Sequence, residues 1–159
     1  MLDHARLFHI GVRVPDLHAA MAEIGSERAL TWASVEDRSM RVWLPGEGHV
    51  ELRLALTYSV DGPVHIELLE GPPASIWDGR DSPGAHHFGY WSDDVAGETE
   101  QLLREGWTLE LAADSPDEGY GRFTYVRARS GFLVEPVSIA SKARFERWWA
   151  GGSLTDPVS

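Results

Sequence analysis

Four residues of types suited to chemistry recur in a regular pattern: His9, Glu67, His87 and Glu135. His9 lies in Phe8-His9-Ile10-Gly11-Val12 and His87 in His86-His87-Phe88-Gly89-Tyr90. His87 minus His9, Gly89 minus Gly11 and Asp94 minus Asp16 each give 78, and a constant offset across three landmarks marks an internal duplication. Each copy also closes on a strand-like segment with a carboxylate inside it, Glu67 within Val64 to Glu70 and Glu135 within Gly131 to Val137. Two neutral imidazoles and two carboxylates supply nitrogen and oxygen donors for a borderline or hard divalent cation. They neutralise its charge and leave positions open to water or to substrate oxygens.

These residues need strands to carry them. Leu7 to Val14 alternates, with Phe8, Ile10, Val12 and Val14 on one side and His9, Gly11 and Arg13 on the other, the period of a half-buried strand. Gly11 keeps the surface beside His9 low, as close approach of a ligand requires. Pro15-Asp16 opens a helix with Leu17, Ala20, Met21 and Ile24 on its stripe, which Gly25 is expected to stop. Leu30 to Val35 and Met40 to Leu44 are β-prone, Pro45 to Gly48 forms a turn, and His49 to Tyr58 alternates as a further strand. Val64 to Glu70 returns with His65, Glu67 and Leu69 on one face.

The second copy repeats this order. His87, Gly89 and Trp91 match His9, Gly11 and Arg13, and Asp93-Asp94 caps a helix stopped by Gly106. Trp107 to Ala112, Arg122 to Ala128 and Phe132 to Val137 supply three more strands, with the acidic segment Asp114 to Gly121 as a loop. A last helical stretch carries Phe145, Trp148 and Trp149, to pack on the domain or on a second subunit, and the tail beyond Gly152 is expected to fray.

Composition narrows the class. A chain of 159 residues with a net charge of −11 lacks the basic surface that drives nonspecific nucleic-acid binding. Zero cysteines exclude disulfides and thiolate ligands and fit a reducing, cytoplasmic compartment. No apolar run is long enough to span a bilayer as a helix. Scattered arginines and the single Lys142 form no basic cluster along the sequence, which argues against an ester of coenzyme A as ligand.

On His9-Ile10-Gly11-Val12, Val14-Pro15-Asp16-Leu17, Ile66-Glu67-Leu68-Leu69-Glu70, His86-His87-Phe88-Gly89 and Val134-Glu135, the sequence resembles the vicinal oxygen chelate superfamily of glyoxalases, bleomycin-resistance proteins and extradiol dioxygenases. Within it the chain looks most like the glyoxalase-like branch near methylmalonyl-CoA epimerase. The resemblance implies an α+β fold in a single domain over 1–159. Two paired βαβββ modules, 7–73 and 84–138, would form an open eight-stranded barrel-like sheet with flanking helices, followed by a short C-terminal helix at 139–150. It also implies one divalent metal ion (Zn, Ni, Co, Mn, Fe or Mg) on His9, Glu67, His87 and Glu135, and a homodimer as the assembly.

The function so implied is that of a metal-dependent lyase, isomerase or epimerase. It would act on a small α-oxygenated carbonyl compound, possibly a thioester, through a metal-stabilised enolate, with Glu135 and then Glu67 moving the proton. Glu36 and Glu51 are the alternatives as a separate base. His65, Arg13 and Trp91, on the polar strand faces, are the candidate substrate contacts. His86 is expected to face away from His87 and to be structural. The competing reading is a small-molecule binding or resistance protein that uses the same cavity, lined by Trp and Tyr, without chemistry.

Overall fold

The structure is a computed structural model that describes residues 3–154. The order strand, helix, strand, strand, strand occurs twice. The first run is β1 (Leu7–Arg13), α1 (Leu17–Arg28), β2 (Glu36–Leu44), β3 (Gly48–Tyr58) and β4 (His65–Glu70). The second is β5 (Gly84–Ser92), α2 (Val95–Arg104), β6 (Thr108–Ala112), β7 (Thr124–Arg127) and β8 (Leu133–Ser138), followed by α3 (Lys142–Trp149). The landmark aspartates have one job in both halves. The Asp16 carboxylate accepts from the Ala19 N–H at 2.8 Å and the Asp94 carboxylate from the Gly97 N–H at 2.9 Å, each satisfying an otherwise unpaired donor at the start of α1 or α2.

The eight strands close into a ring in the order β1-β4-β3-β2-β6-β7-β8-β5. β1 and β5 run antiparallel side by side, with β4 parallel to β1 on one flank and β8 parallel to β5 on the other. This central four-strand group therefore brings together all four segments that carry His9, Glu67, His87 and Glu135. The gap implied by an open sheet survives only as a thin seam at β2 and β6, joined by one registered pair, Trp43 with Ala112.

Two features depart from simple alternation, and they are related by the repeat. β1 steps from Leu7 opposite Tyr90 to His9 opposite Gly89, and β5 steps from His87 opposite Gly11 to Ala85 opposite Val12. Phe8 and His86, themselves 78 apart, are each the extra residue of a β-bulge. A bulge turns two successive side chains toward one side, so Phe8 joins the barrel core beside His9, stacking on Trp91 at 3.7 Å. The expected strict alternation of β1 holds only beyond His9.

The helices cover the outside. α1 lays Leu17 on Val14, Ala55 and Leu68, and α2 lays Leu102 on Tyr90, Val126 and Val134. α1 runs past Gly25 to end at Ala29, in the left-handed conformation, and Gly25 instead makes room for Trp32, whose indole N–H donates to the Met21 carbonyl. α3 folds back on its own barrel: Trp148 is fully buried, and Phe145, Trp148 and Trp149 all meet the Tyr58 ring. The end of the described chain is tied down as well. Leu154 is buried, and its N–H and the Ser153 hydroxyl both donate to the Glu36 carboxylate. The tail from residue 155 lies outside the described residues.

Candidate metal and active site

Each glycine of the repeat makes space for the histidine of the other half. A β-carbon on Gly89 would lie 1.8 Å from Cε1 of His9, and one on Gly11 would lie 2.1 Å from Cε1 of His87. Neither glycine adopts a positive φ, so the requirement is for space alone. What approaches Gly11 is thus the His87 ring rather than a ligand. The carboxylates follow from the register, because Glu67 pairs with Gly11 across β4 and β1, and Glu135 pairs with Gly89 across β8 and β5. Each imidazole therefore meets the carboxylate of the opposite half.

The distances show this crossing. His87 Nε2 lies 3.1 Å from Glu67 Oε2 and His9 Nε2 lies 3.0 Å from Glu135 Oε2, while the pairs within one half are longer, 3.4 Å for His9 with Glu67 and 3.3 Å for His87 with Glu135. The two Nε2 atoms are 2.9 Å apart. Metal bonds of about 2.0–2.2 Å to imidazole and carboxylate set neighbouring ligand atoms roughly 3 Å apart, so the separations suit a shared cation. His9, His87 and Glu135 could hold a metal ion, and Glu67 Oε2, buried and without a hydrogen bond, points at both imidazoles. All four residues come from one chain.

The surroundings fix these groups. Glu67 Oε1 accepts from the Tyr58 hydroxyl at 2.6 Å, since Tyr58 faces Glu67 across β3 and β4. Tyr125 stands one step beyond the Val126 to Val134 pair, near Glu135, but its hydroxyl accepts from the Trp77 indole N–H at 3.2 Å instead. Among the described residues no hydroxyl anchors Glu135 as Tyr58 anchors Glu67. His86, placed by its bulge beside His87 and not away from it, sets its Nδ1 3.1 Å from His87 Nδ1. Burial and the neighbouring His87 push its pKa down to about 2, so a neutral His86 can accept the Nδ1 proton of His87 and leave Nε2 of His87 facing the carboxylates.

The metal-free quartet behaves as a buried double ion pair. Burial opposes charging His87, but the Glu135 and Glu67 carboxylates outweigh it and raise its pKa to about 9; His9 is raised for the same reason. Burial also opposes ionising Glu67 and Glu135, and the two imidazoliums reverse that and hold both carboxyls below their ordinary value. A raised histidine stabilises fully below its unfolded value of 6.5 and ceases to do so as pH rises through about 9. The depressed carboxylates stabilise above 4.5 and lose their effect as pH falls below it. The metal-free protein is expected to melt at progressively lower temperature between pH 7 and 10. Added divalent cation, which competes with those protons, should bind more tightly over the same range and remove the decline. Thermal unfolding with and without cation at several pH values measures both; a flat metal-free profile would contradict the ion-paired quartet.

A cavity of about 90 Å³ adjoins the quartet. Glu67 and Glu135 reach its wall, together with Tyr58, Tyr125, Trp77 and Phe145, whereas His9 and His87, fully buried, do not. The carboxylates are thus the groups of the quartet that meet whatever enters.

The other candidates fall elsewhere. His65 pairs with His9 across the sheet but stacks on Trp149 at 3.7 Å, with its Nδ1 2.7 Å from the Ser59 carbonyl oxygen. Arg13 donates to the Ile76 carbonyl, and Trp91 is committed to its stack on Phe8. None of the three lines the cavity. Glu51 is exposed and accepts from the Ser39 hydroxyl, and Glu36 is occupied by Ser153 and Leu154, so neither stands with the quartet. Sequence reasoning missed Arg38, Arg122 and Arg144, which all line the cavity and form the basic cluster that linear order hides.

Residues 8–125 match the model of the Glyoxalase/Bleomycin resistance protein/Dioxygenase superfamily, and the chain belongs to that superfamily. Solved structures with the same fold include a methylmalonyl-CoA epimerase in complex with methylmalonyl-CoA and NH4+, at 20% identity and TM-score 0.59 over 87% of this chain and 95% of that one. Methylmalonyl-CoA epimerase from Mycobacterium tuberculosis matches at 18% identity and TM-score 0.57, over 87% and 92% of the two chains. A hypothetical protein from Bacillus halodurans matches at 20% identity and TM-score 0.57, over 83% and 92%. No curated protein matches the chain. Among the described residues no helix is long and apolar enough to cross a membrane.

Proposed function

We propose that the protein is a metal-dependent isomerase of the epimerase type, moving a proton at the carbon next to a carbonyl in a small α-oxygenated compound. The observation that carries this reading is the crossed quartet of two imidazoles and two carboxylates with only the carboxylates on the cavity wall. His9, Glu67, His87 and Glu135 would hold one divalent cation, which when bound supplies Lewis-acid polarisation of a carbonyl.

The chain's own residues divide the remaining work. Glu67 and Glu135 both reach the cavity wall, so Glu135, which lacks the fastening Tyr58 gives Glu67, takes the proton from one face of the α-carbon and Glu67 delivers a proton to the opposite face, as inversion requires. His86 orients His87. Burial of the quartet excludes bulk water during the step, so the proton is delivered by a carboxylate whose own proton comes from solvent between turnovers, and the product carries solvent hydrogen. The epimerase fold of the structural neighbours is consistent with this chemistry, and methylmalonyl-CoA, the ligand named for one of them, belongs in the first substrate panel.

Exchange of the α-proton with deuterated solvent, followed by NMR over a panel of 2-hydroxy acids, 2-oxo acids and malonyl-type thioesters, tests the proposal. Exchange is expected with cation-loaded protein on at least one member, falling about 100-fold or more in Glu135→Gln. Binding without exchange across the panel would instead favour the alternative, a non-catalytic carrier or resistance protein whose cavity is walled by Met40, Leu54, Leu56 and Phe123.

A further inference from the structure

Three guanidiniums meet at the cavity: Arg38 from β2, Arg122 from the loop before β7 and Arg144 from α3. They are close enough to perturb one another. Burial first, and then the charges of Arg122, Arg38 and Arg147, hold the Arg144 guanidinium below its ordinary pKa; Arg38 is lowered by burial and by Arg122 despite the nearby Glu36. Nε of Arg38 and of Arg144 is buried without a hydrogen-bond partner.

Elsewhere six arginines are ion-paired, while Arg13, Arg129 and Arg147, among the described residues, are not. Arg6, Arg41, Arg53, Arg80, Arg104 and Arg127 each lie within ion-pair distance of a carboxylate. Among the described residues, no carboxylate forms an ion pair with Arg38, Arg122 or Arg144 in a protein that carries 25 acidic residues. Glu36, whose charge acts on Arg38, is held by the backbone of Leu154 and the hydroxyl of Ser153, and Glu67 and Glu135 on the same cavity wall face His9 and His87. Arg38 and Arg144 are half-buried with donors unused and Arg122 is exposed beside them, and such clustered like charges repel one another unless an anion comes between them.

We infer that Arg38, Arg122 and Arg144 form an anion subsite, so that the ligand is a small compound bearing a carboxylate or phosphate in addition to its α-oxygenated carbon. The inference rests on the proposed use of the cavity for such a compound and adds the second charged group. A cavity of about 90 Å³ takes a short acid whole, and of a larger ligand only its charged end. The fork of an arginine suits either oxyanion, since both present paired oxygens.

Isothermal titration of cation-loaded protein with lactate, malate and 3-phosphoglycerate separates the cases, because all three share a 2-hydroxy acid and only the latter two add a second anionic group. Malate or 3-phosphoglycerate is expected to bind about tenfold or more tightly than lactate, the better of the two telling carboxylate from phosphate. That gain should disappear in Arg122→Gln and Arg144→Gln and survive in part in Arg122→Lys. Near-ultraviolet circular dichroism establishes that each variant is folded. Equal binding of the three acids, or variants that keep the preference, would overturn the subsite. The same titration on chelator-treated protein distinguishes this failure from failure of the metal reading. Arginine-dependent malate or phosphoglycerate binding with no cation affinity leaves the subsite standing, and normal cation binding without anion preference removes the subsite alone.

Discussion

His87→Ala is expected to lower divalent-cation affinity by about 100-fold or more, since loss of a ligand exceeds the 10- to 100-fold cost of losing a group that merely orients one. His87 Nε2 touches both Glu67 and Glu135, and its Nδ1 touches His86, so no neighbour can take its place. The metal-free variant should also be less stable by about 3 kcal/mol, because two buried carboxylates then share one imidazole. Competition against a chromophoric chelator measures the first effect and urea unfolding the second. Unchanged cation affinity in a folded variant would remove His87 from the site.

Gly89→Ala is expected to be nearly as severe although it adds one methyl group. The new carbon would sit 1.8 Å from Cε1 of His9, inside a fully buried ring and not at the end of a flexible side chain. Overfilling of this kind costs about 3 kcal/mol, and the ring that must move carries one corner of the quartet. Cation affinity should fall with stability, at least tenfold, in the same titrations, and Gly11→Ala should do the same through His87. A Gly89→Ala protein with wild-type stability and cation affinity would mean that the two strands can separate without disturbing the histidines.

The duplication was legible because it rests on residues whose roles are local and repeated. An aspartate must cap a helix, a glycine must give way to a ring, and the same spacing places both in each half. The placement of Glu67 and Glu135 with the histidines, implied by the repeat and the resemblance, needs no correction for bulges, since β4 and β8 show no shift in their registers with β1 and β5. The bulges at Phe8 and His86 were not legible, because a bulge is a mismatch between two strands and neither strand shows it alone. That is why His86 was expected on the wrong side and Phe8 on the wrong face. Arg13, His65 and Trp91 share a strand side with the quartet, yet neighbouring contacts draw each away from the cavity. The arginine cluster was hidden for another reason: its members come from a strand, a loop and a helix spread across the chain, and only closure of the barrel and the return of α3 bring them together.

The ring of strands is mechanically uneven. Where β1 meets β5, six registered pairs join the halves and the buried quartet crosses between them; on the far side of the ring one pair, Trp43 with Ala112, completes the circle. A load on such a hoop is taken up at its weakest joint. Strain that widens the barrel therefore falls on the thin side first and spares the spine, so the geometry of the quartet is insulated from it.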